Sequence, residues 1–536
     1  MSNGRALFVV AAILATFGVL AVTGGPALDP GEAPETGLES VDDPESSVGE
    51  ESTNEDSSGN STDEGESGDS TRPALVSECA ATPPADYADP AGNSSETVGW
   101  VEGYWYNEQL DIDAAGGLNE TEIEMVSARA AARFEAIRCL TADEGVPPVE
   151  IQTREQFREN QSGLFDLSQQ QRLADNAELA IRLMSETETD STEQREQNRG
   201  AAVAGTYNYL TDQIVIVSED AENLTIDEAV LAHELGHAIQ DQQFDLAQYE
   251  RDTVDRDKAI LGLIEGDVHY VEQQYRKACA DGGWEHGCLS YRDGSEGGDS
   301  SPPEPANWGL LFQTLQPYND GPAFVESLYE NGDGWDAVND AYDDPPTSAL
   351  EVIRPERYPE FEPTEFTVPD RSSADWDRYN GSFGPGYEQV GVAGISAMFI
   401  APTFEAGTEG IYSQFELLAG GDLRTYRYLQ PETEGWRGDR LYTYQGPNND
   451  TGAVWTTTWE SAESAEPFVE SYKELIDIRG GEEVGNNTYE FDGDSGYEMA
   501  LTIRTNGSRV TVVTAPTVDQ LKEIHSPEDA GQQSAS

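Results

Sequence analysis

The chain has 536 residues, enough for two or three domains with substantial cores. Its 103 acidic residues against 30 basic ones give a formal net charge of −73; such a surface repels phosphates and excludes nucleic acid as a partner. The bias runs along the whole chain, and lysine stands only at Lys258, Lys277, Lys473 and Lys522. Molar salt shortens the Debye length to about 3 Å and screens such self-repulsion, so the composition reads as adaptation to high salt, as in halophilic archaea.

In chain order, Ala6 to Thr23 is a continuous apolar run behind Arg5. Residues 1–28 read as a secretory signal or a retained N-terminal anchor, with everything later outside the cell. Ala21-Val22-Thr23 is a poor cleavage site, and membrane contact is expected only through this segment. Residues 29–95 are rich in Glu, Asp, Ser, Gly, Thr and Pro and predict a disordered acidic spacer. The main domain is expected over 96–420, an α+β region over 421–516 and a disordered tail over 517–536.

Helical periodicity covers Glu120 to Leu140 through Ile123, Val126, Ala130, Phe134 and Ile137. Phe165 to Met184 predicts a second helix, and Ala204 to Ser218 reads as strand material. Thr225 to Phe244 then carries His233-Glu234-Leu235-Gly236-His237, an H-E-x-x-H sequence. Histidines four apart share one helix face and can reach one metal ion. Glu234 is placed to act as general base on a zinc-activated water. Thr225 and Glu228 predict a capping box, and Asp227 suits the positive end of the helix. Gly236 costs a helix about 1 kcal/mol relative to alanine, which is acceptable where another segment must pass close by. In many zinc peptidases the edge strand ahead of such a helix pairs with an extended peptide substrate.

Asp255 to Ala278 predicts a long helix bearing Glu265, Asp267 and His269. A catalytic zinc takes three protein ligands and leaves a position open. The metzincin solution needs glycine at 240 and histidine at 243, and both positions are glutamine (Gln240, Gln243). Glu265 is the expected third ligand, because Gly262 and Gly266 beside it permit close helix approach. Asp267 and His269 are the alternatives, and otherwise residues that hold a histidine ligand in orientation from behind.

Cys79, Cys139, Cys279 and Cys288 are the only cysteines. In an exported chain they predict disulfides, Cys279 with Cys288 across a short loop and Cys79 with Cys139. Helices are expected around Asn307–Leu315, Gly321–Tyr329, Tyr387–Phe399 and Ser464–Leu475. Strands are expected at Arg440–Tyr444 and Ala453–Trp459, with a closing hairpin from Glu498–Ile503 to Arg509–Thr514 turning at Asn506-Gly507. Candidate glycosylation sequons begin at Asn60, Asn93, Asn119, Asn160, Asn223, Asn380, Asn449, Asn486 and Asn506.

The blocks HELGHAIQDQQFDL, AILGLIEGDVHYVE and GPAFVESLYENGDGWDAVNDAYDDPPTSALEVIRPERY resemble a haloarchaeal family of exported surface proteins with a zincin-like domain. GWRGDRLYTY and VWTTTWESAESAEPFVESY resemble its later blocks, so the likeness spans roughly residues 200–475. Where such proteins often carry a histidine before the P-E-x-Y block, this chain has Arg354. The resemblance implies a gluzincin-like site with His233, His237 and Glu265 as ligands and Glu234 as base. The expected architecture is therefore α+β, a mainly helical zincin-like domain followed by a smaller α+β region. The expected function is extracellular zinc-dependent hydrolysis of a peptide or protein substrate. The alternative is a catalytically inactive zincin-fold surface glycoprotein with a structural or binding role.

Overall fold

The computed structural model describes residues 16–17, 76–90, 96–112, 117–161, 167–187, 189–218, 226–289, 305–381, 385–408, 410–419, 423–492 and 495–527. Most of the expected leader and most of the expected spacer lie outside them. Among the described residues no helix is long and apolar enough to cross a membrane. The chain is a mixed α+β protein.

Four helices build the first core. The N-terminal helix Glu120–Arg138 starts on a capping box between Asn119 and Glu122. It packs on the motif helix Glu228–Phe244, which packs on the long helix Val254–Ala280. The long helix has its most extensive helix contact with Trp308–Asn331. That last helix is continuous through Pro317 and Pro322, and joins what the sequence predicts as two helices with a gap at 316–320. Packing outweighs the local cost of the prolines. An added Cβ at Gly266 would collide with the backbone of Gly321, and one at Gly262 would lie 2.6 Å from Val352. These glycines let the two helix backbones touch.

A sheet covers one side, in the order Thr16–Phe17, Gly205–Asn208, Gln213–Ser218, Val149–Thr153, with only the last pair parallel. A second, antiparallel sheet runs Gly481–Gly485, Thr488–Phe491, Ala500–Asn506, Arg509–Ala515, Thr451–Trp459, Trp436–Gln445, Asp377–Arg378. Helix Ala462–Ile478 buries Phe468 and Tyr472 against Trp455 of this sheet. The second core runs from Leu179 through the buried helix Gly391–Ile400 to Val512, so apolar packing crosses the boundary drawn at 420.

Both ends of the folded part extend further than expected. Val76 and Ala80 are buried and Cys79 is bonded to Cys139, which ties the end of the supposed spacer to the N-terminal helix. Leu521–Ile524 is a short helix whose Leu521 and Ile524 are buried in the second sheet's outer face, so the packed chain continues past residue 517. Cys279 is bonded to Cys288.

The motif helix begins on Asp227, whose carboxylate accepts from the amides of Ala229 and Val230. Glu228 does not form the expected capping box, and Thr225 lies outside the described residues. Glu228 is drawn instead into a buried cluster with Arg129 at 3.0 Å, Arg133 at 2.7 Å and the Tyr275 hydroxyl at 2.7 Å. Two guanidiniums in a buried site outbid one backbone amide. Asn119, Asn160, Asn380, Asn449, Asn486 and Asn506 are exposed; Asn60, Asn93 and Asn223 lie outside the described residues.

Candidate metal centre

Helical spacing puts His233 and His237 on one face, and both are fully buried. The helix can sink this deep because Gly236 lies under the Phe134 ring, where any Cβ would collide. The long helix crosses beneath, and the glycine contacts on its far side bring Glu265 inward. The two Nε2 atoms are 3.1 Å apart, and Glu265 Oε2 lies 3.4 Å from that of His233 and 3.3 Å from that of His237. The three donors form a nearly equilateral triangle. Ligands bonded at 2.0–2.1 Å in a tetrahedron are separated by about 3.3–3.4 Å, so the triangle has the size of one tetrahedral face.

The outer atoms of each group are already committed. His233 Nδ1 faces Glu272 Oε2 at 2.9 Å, and His237 Nδ1 faces Gln240 Oε1 at 3.0 Å. Oxygen acceptors there make both Nδ1 atoms N–H donors and turn both Nε2 lone pairs inward. Glu265 Oε1 accepts from the Tyr318 hydroxyl at 2.8 Å, whereas its buried Oε2 accepts no hydrogen bond. Three electron-rich atoms thus converge on one point and call for positive charge between them. Titration follows the same logic. Burial alone would lower the His233 pKa, but Glu265 and Glu272 reverse this and hold it at about 10. Burial would raise that of Glu265, yet His237 and His233 bring it down to about 2.

Of the expected residues, His233, His237 and Glu265 converge, and they form one of two groups among the described residues with metal-binding spacing. The other, His233 with His269 and Glu272, shares His233. Asp267 touches neither histidine. It accepts from Arg138 at 2.6 Å, Tyr342 at 2.8 Å and the Gln240 amide at 3.1 Å, and so steadies His237 through Gln240. His269 approaches Glu272 at 3.2 Å rather than a ligand. The direct supports are Glu272 and Gln240, which sequence reasoning missed. Glu272 is itself held by Arg276 at 2.7 Å, and Arg276 reaches Asp227 at 3.3 Å. Spacing held a signal for Glu272: it follows Glu265 by about two turns and shares its face.

Glu234 is fully buried beside the triangle. Strand Gly205–Asn208 runs across it, and a Cβ on Gly205 would lie 2.7 Å from Glu234 Oε1. Only glycine lets this strand lie on the carboxylate. Tyr318 and Arg199 are in electrostatic reach of both Glu234 and Glu265. The sequence pointed to neither. Arg354 lies on the surface, paired with Glu356 at 2.9 Å.

Residues 377–525 match a family described as a domain of unknown function (DUF8575). The match covers under a third of the chain, including the second sheet but not the motif helix. No curated protein and no solved structure matches the chain.

Proposed function

We propose that this protein is an exported zinc-dependent peptidase in which His233, His237 and Glu265 hold the metal and Glu234 is the general base. The observation that carries the reading is the inward triangle of two imidazole lone pairs and one carboxylate oxygen, its edges 3.1–3.4 Å. Two neutral imidazoles and a carboxylate are a donor set that suits zinc. Three ligands leave a position open, as catalytic rather than structural zinc requires.

A bound zinc would supply Lewis acidity, polarising a scissile carbonyl and acidifying water. The chain's own residues do the rest. Glu272 and Gln240 fix the imidazole rings, and Tyr318 fixes the Glu265 carboxylate. Glu234 takes the proton of the attacking water and delivers it to the leaving amine. A purely structural site has no use for Glu234, a fully buried carboxylate that is outside the ligand triangle. The strand across Glu234 is not the edge strand expected there, since Thr16–Phe17 and Gln213–Ser218 flank it, so the reading does not rest on strand pairing with a peptide. The two disulfides accord with an oxidising compartment outside the cytosol.

The test is Glu234→Gln, with metal content and casein digestion measured on the same sample in molar salt. One zinc per chain in both proteins, with cleavage in the wild type alone, supports the reading. A variant that digests casein at the wild-type rate removes Glu234 from the mechanism. Zinc without cleavage in the wild type reduces the site to a binding or structural role.

A further inference from the structure

We propose that Asn319 is a positioning residue of the metal centre: by gripping the chain at Thr425 and Tyr426 it holds the Tyr318 hydroxyl on Glu265, and so couples the C-terminal region to a metal ligand. The proposal rests on the zinc reading above and gives a task to the region that matches the domain of unknown function.

Tyr318 needs a hold from outside its own helix. It stands between Pro317 and Pro322 in helix Trp308–Asn331. A proline has no amide hydrogen, so the helical bonds that positions 317 and 322 would donate to the Gln313 and Tyr318 carbonyls are missing. The turn that carries Tyr318 is therefore short of two of its own ladder bonds. On one side Gly321 presses it against Gly266 of the long helix. The Tyr318 hydroxyl meets Glu265 Oε1 at 2.8 Å.

The remaining grip comes from the C-terminal region. Asn319 is buried; its Oδ1 accepts from the Thr425 amide at 3.0 Å and the Tyr426 amide at 2.8 Å, and its Nδ2 donates to the Tyr426 carbonyl at 2.8 Å. Asp320, also buried, faces Arg424 Nε at 3.1 Å, and Arg424 donates in turn to the Ile353 carbonyl at 3.1 Å. Earlier in the same helix, the Phe312 carbonyl accepts from the Tyr428 hydroxyl at 2.6 Å. Consecutive residues thus divide the work: Tyr318 faces the ligand Glu265, while Asn319 and Asp320 face the strap Arg424–Tyr428. The whole strap lies inside the matched residues 377–525. One asparagine that satisfies three backbone groups fixes two chain segments in register as well as in contact. Without it the proline-weakened turn can rotate, and rotation carries the Tyr318 hydroxyl off Glu265. A clamp that served only the fold would make the same bonds, so the test must ask whether Asn319 acts through Tyr318.

The test is a double-mutant cycle on zinc affinity, measured on the full protein in molar potassium chloride by competition with a chelating dye. Asn319→Ala and Tyr318→Phe should each weaken zinc binding at least about tenfold. The double variant should bind no more weakly than the poorer of the two, because positioning has nothing to act on once the hydroxyl is gone. With cobalt in place of zinc, both single variants should shift the visible band alike, since both release the same carboxylate. Unchanged zinc affinity in Asn319→Ala overturns the proposal. Losses that multiply in the double variant also overturn it and leave Asn319 a clamp for the fold alone. Unchanged affinity in Tyr318→Phe overturns it by removing the hydroxyl from the metal site. If Asn319→Ala does not fold, Arg424→Gln on the part-exposed side of the same strap takes its place in the cycle, and the same outcomes decide. A wild type that takes up neither zinc nor cobalt overturns the metal centre and this proposal with it. The expected cycle without casein digestion overturns the peptidase and leaves Asn319 positioning the ligand of a structural metal.

Discussion

Glu272 stands two turns beyond Glu265 on one helix, and its Oε2 receives the Nδ1–H of His233 at 2.9 Å. One helix therefore supplies both a donor to the metal position and the carboxylate that aims another donor at it. Losing such a support typically costs a metal site about 10–100-fold in affinity. Glu272→Gln should weaken zinc binding by that order while the fold persists, measured by competition with a chelating dye. Undiminished affinity would mean the packing alone sets the His233 ring.

The glycine pair Gly266 and Gly321 makes this geometry possible, because any side chain at Gly266 would collide with the Gly321 backbone. Gly266→Ala should destabilise by about 1–3 kcal/mol, the usual cost of overpacking, and loosen zinc because Glu265 is the adjacent residue. Gly485 is the control, since an added Cβ there meets nothing within 4 Å; Gly485→Ala should stay within about 0.5 kcal/mol. Chemical denaturation of both variants decides the matter, and equal midpoints would refute the close-approach argument.

The parts of the site carried by periodicity were legible in the sequence. Four-residue spacing located His233 and His237, and the glycines around Glu265 announced a close helix contact. What escaped was whatever depends on how helices cross. Asp267 and His269 lie close to Glu265 in sequence, yet Asp267 points toward Arg138 and Tyr342, and Glu272 takes the supporting role. Tyr318 was hidden because it falls between the expected helices Asn307–Leu315 and Gly321–Tyr329, while packing keeps the helix whole. Glu228 had a local partner in prospect and found stronger ones, Arg129 and Arg133, far away in sequence. Helix Ser191–Ala202, with Arg199, has no apolar stripe to announce it.

Asp255 predicts a pH dependence. It is fully buried and accepts from Ser348 Oγ and the Ala349 amide at 3.0 Å each and from Gln389 Nε2 at 2.7 Å. Burial outweighs the bonds from Ser348 and Gln389 and, with Asp439 nearby, raises its pKa from 3.8 to about 7. Between those values the folded state binds the extra proton, so unfolding releases it and stability falls as pH rises. The slope for one full proton is about 1.4 kcal/mol per pH unit. Asp255→Asn has no proton to lose and should flatten the stability profile between about pH 5 and 7. Parallel profiles for the two proteins would exonerate Asp255.

The charge of −73 predicts a salt dependence. Between about 0.2 M and 2 M potassium chloride the screening length shrinks to a few ångströms. The melting temperature should rise across that range, and a flat or falling curve would contradict the high-salt reading of the composition.

Metal removal tests the centre as a whole. Two lone pairs and Glu265 Oε2 face one another in a buried pocket, and a cation between them relieves the repulsion. A ligand that binds only the folded state stabilises it by about 4 kcal/mol at a thousandfold excess over its Kd. Chelation should therefore lower the melting temperature by several degrees, and zinc should restore it where magnesium, which demands octahedral oxygen ligands, does not. His237→Ala removes one donor of three and should abolish the zinc-dependent gain while leaving the chelator-treated melting temperature nearly unchanged. An equal zinc gain in wild type and variant would place the stabilising metal elsewhere in the chain. No gain in the wild type would leave the triangle to be held by protonated His233 between Glu265 and Glu272, a buried ion-pair cluster rather than a metal centre.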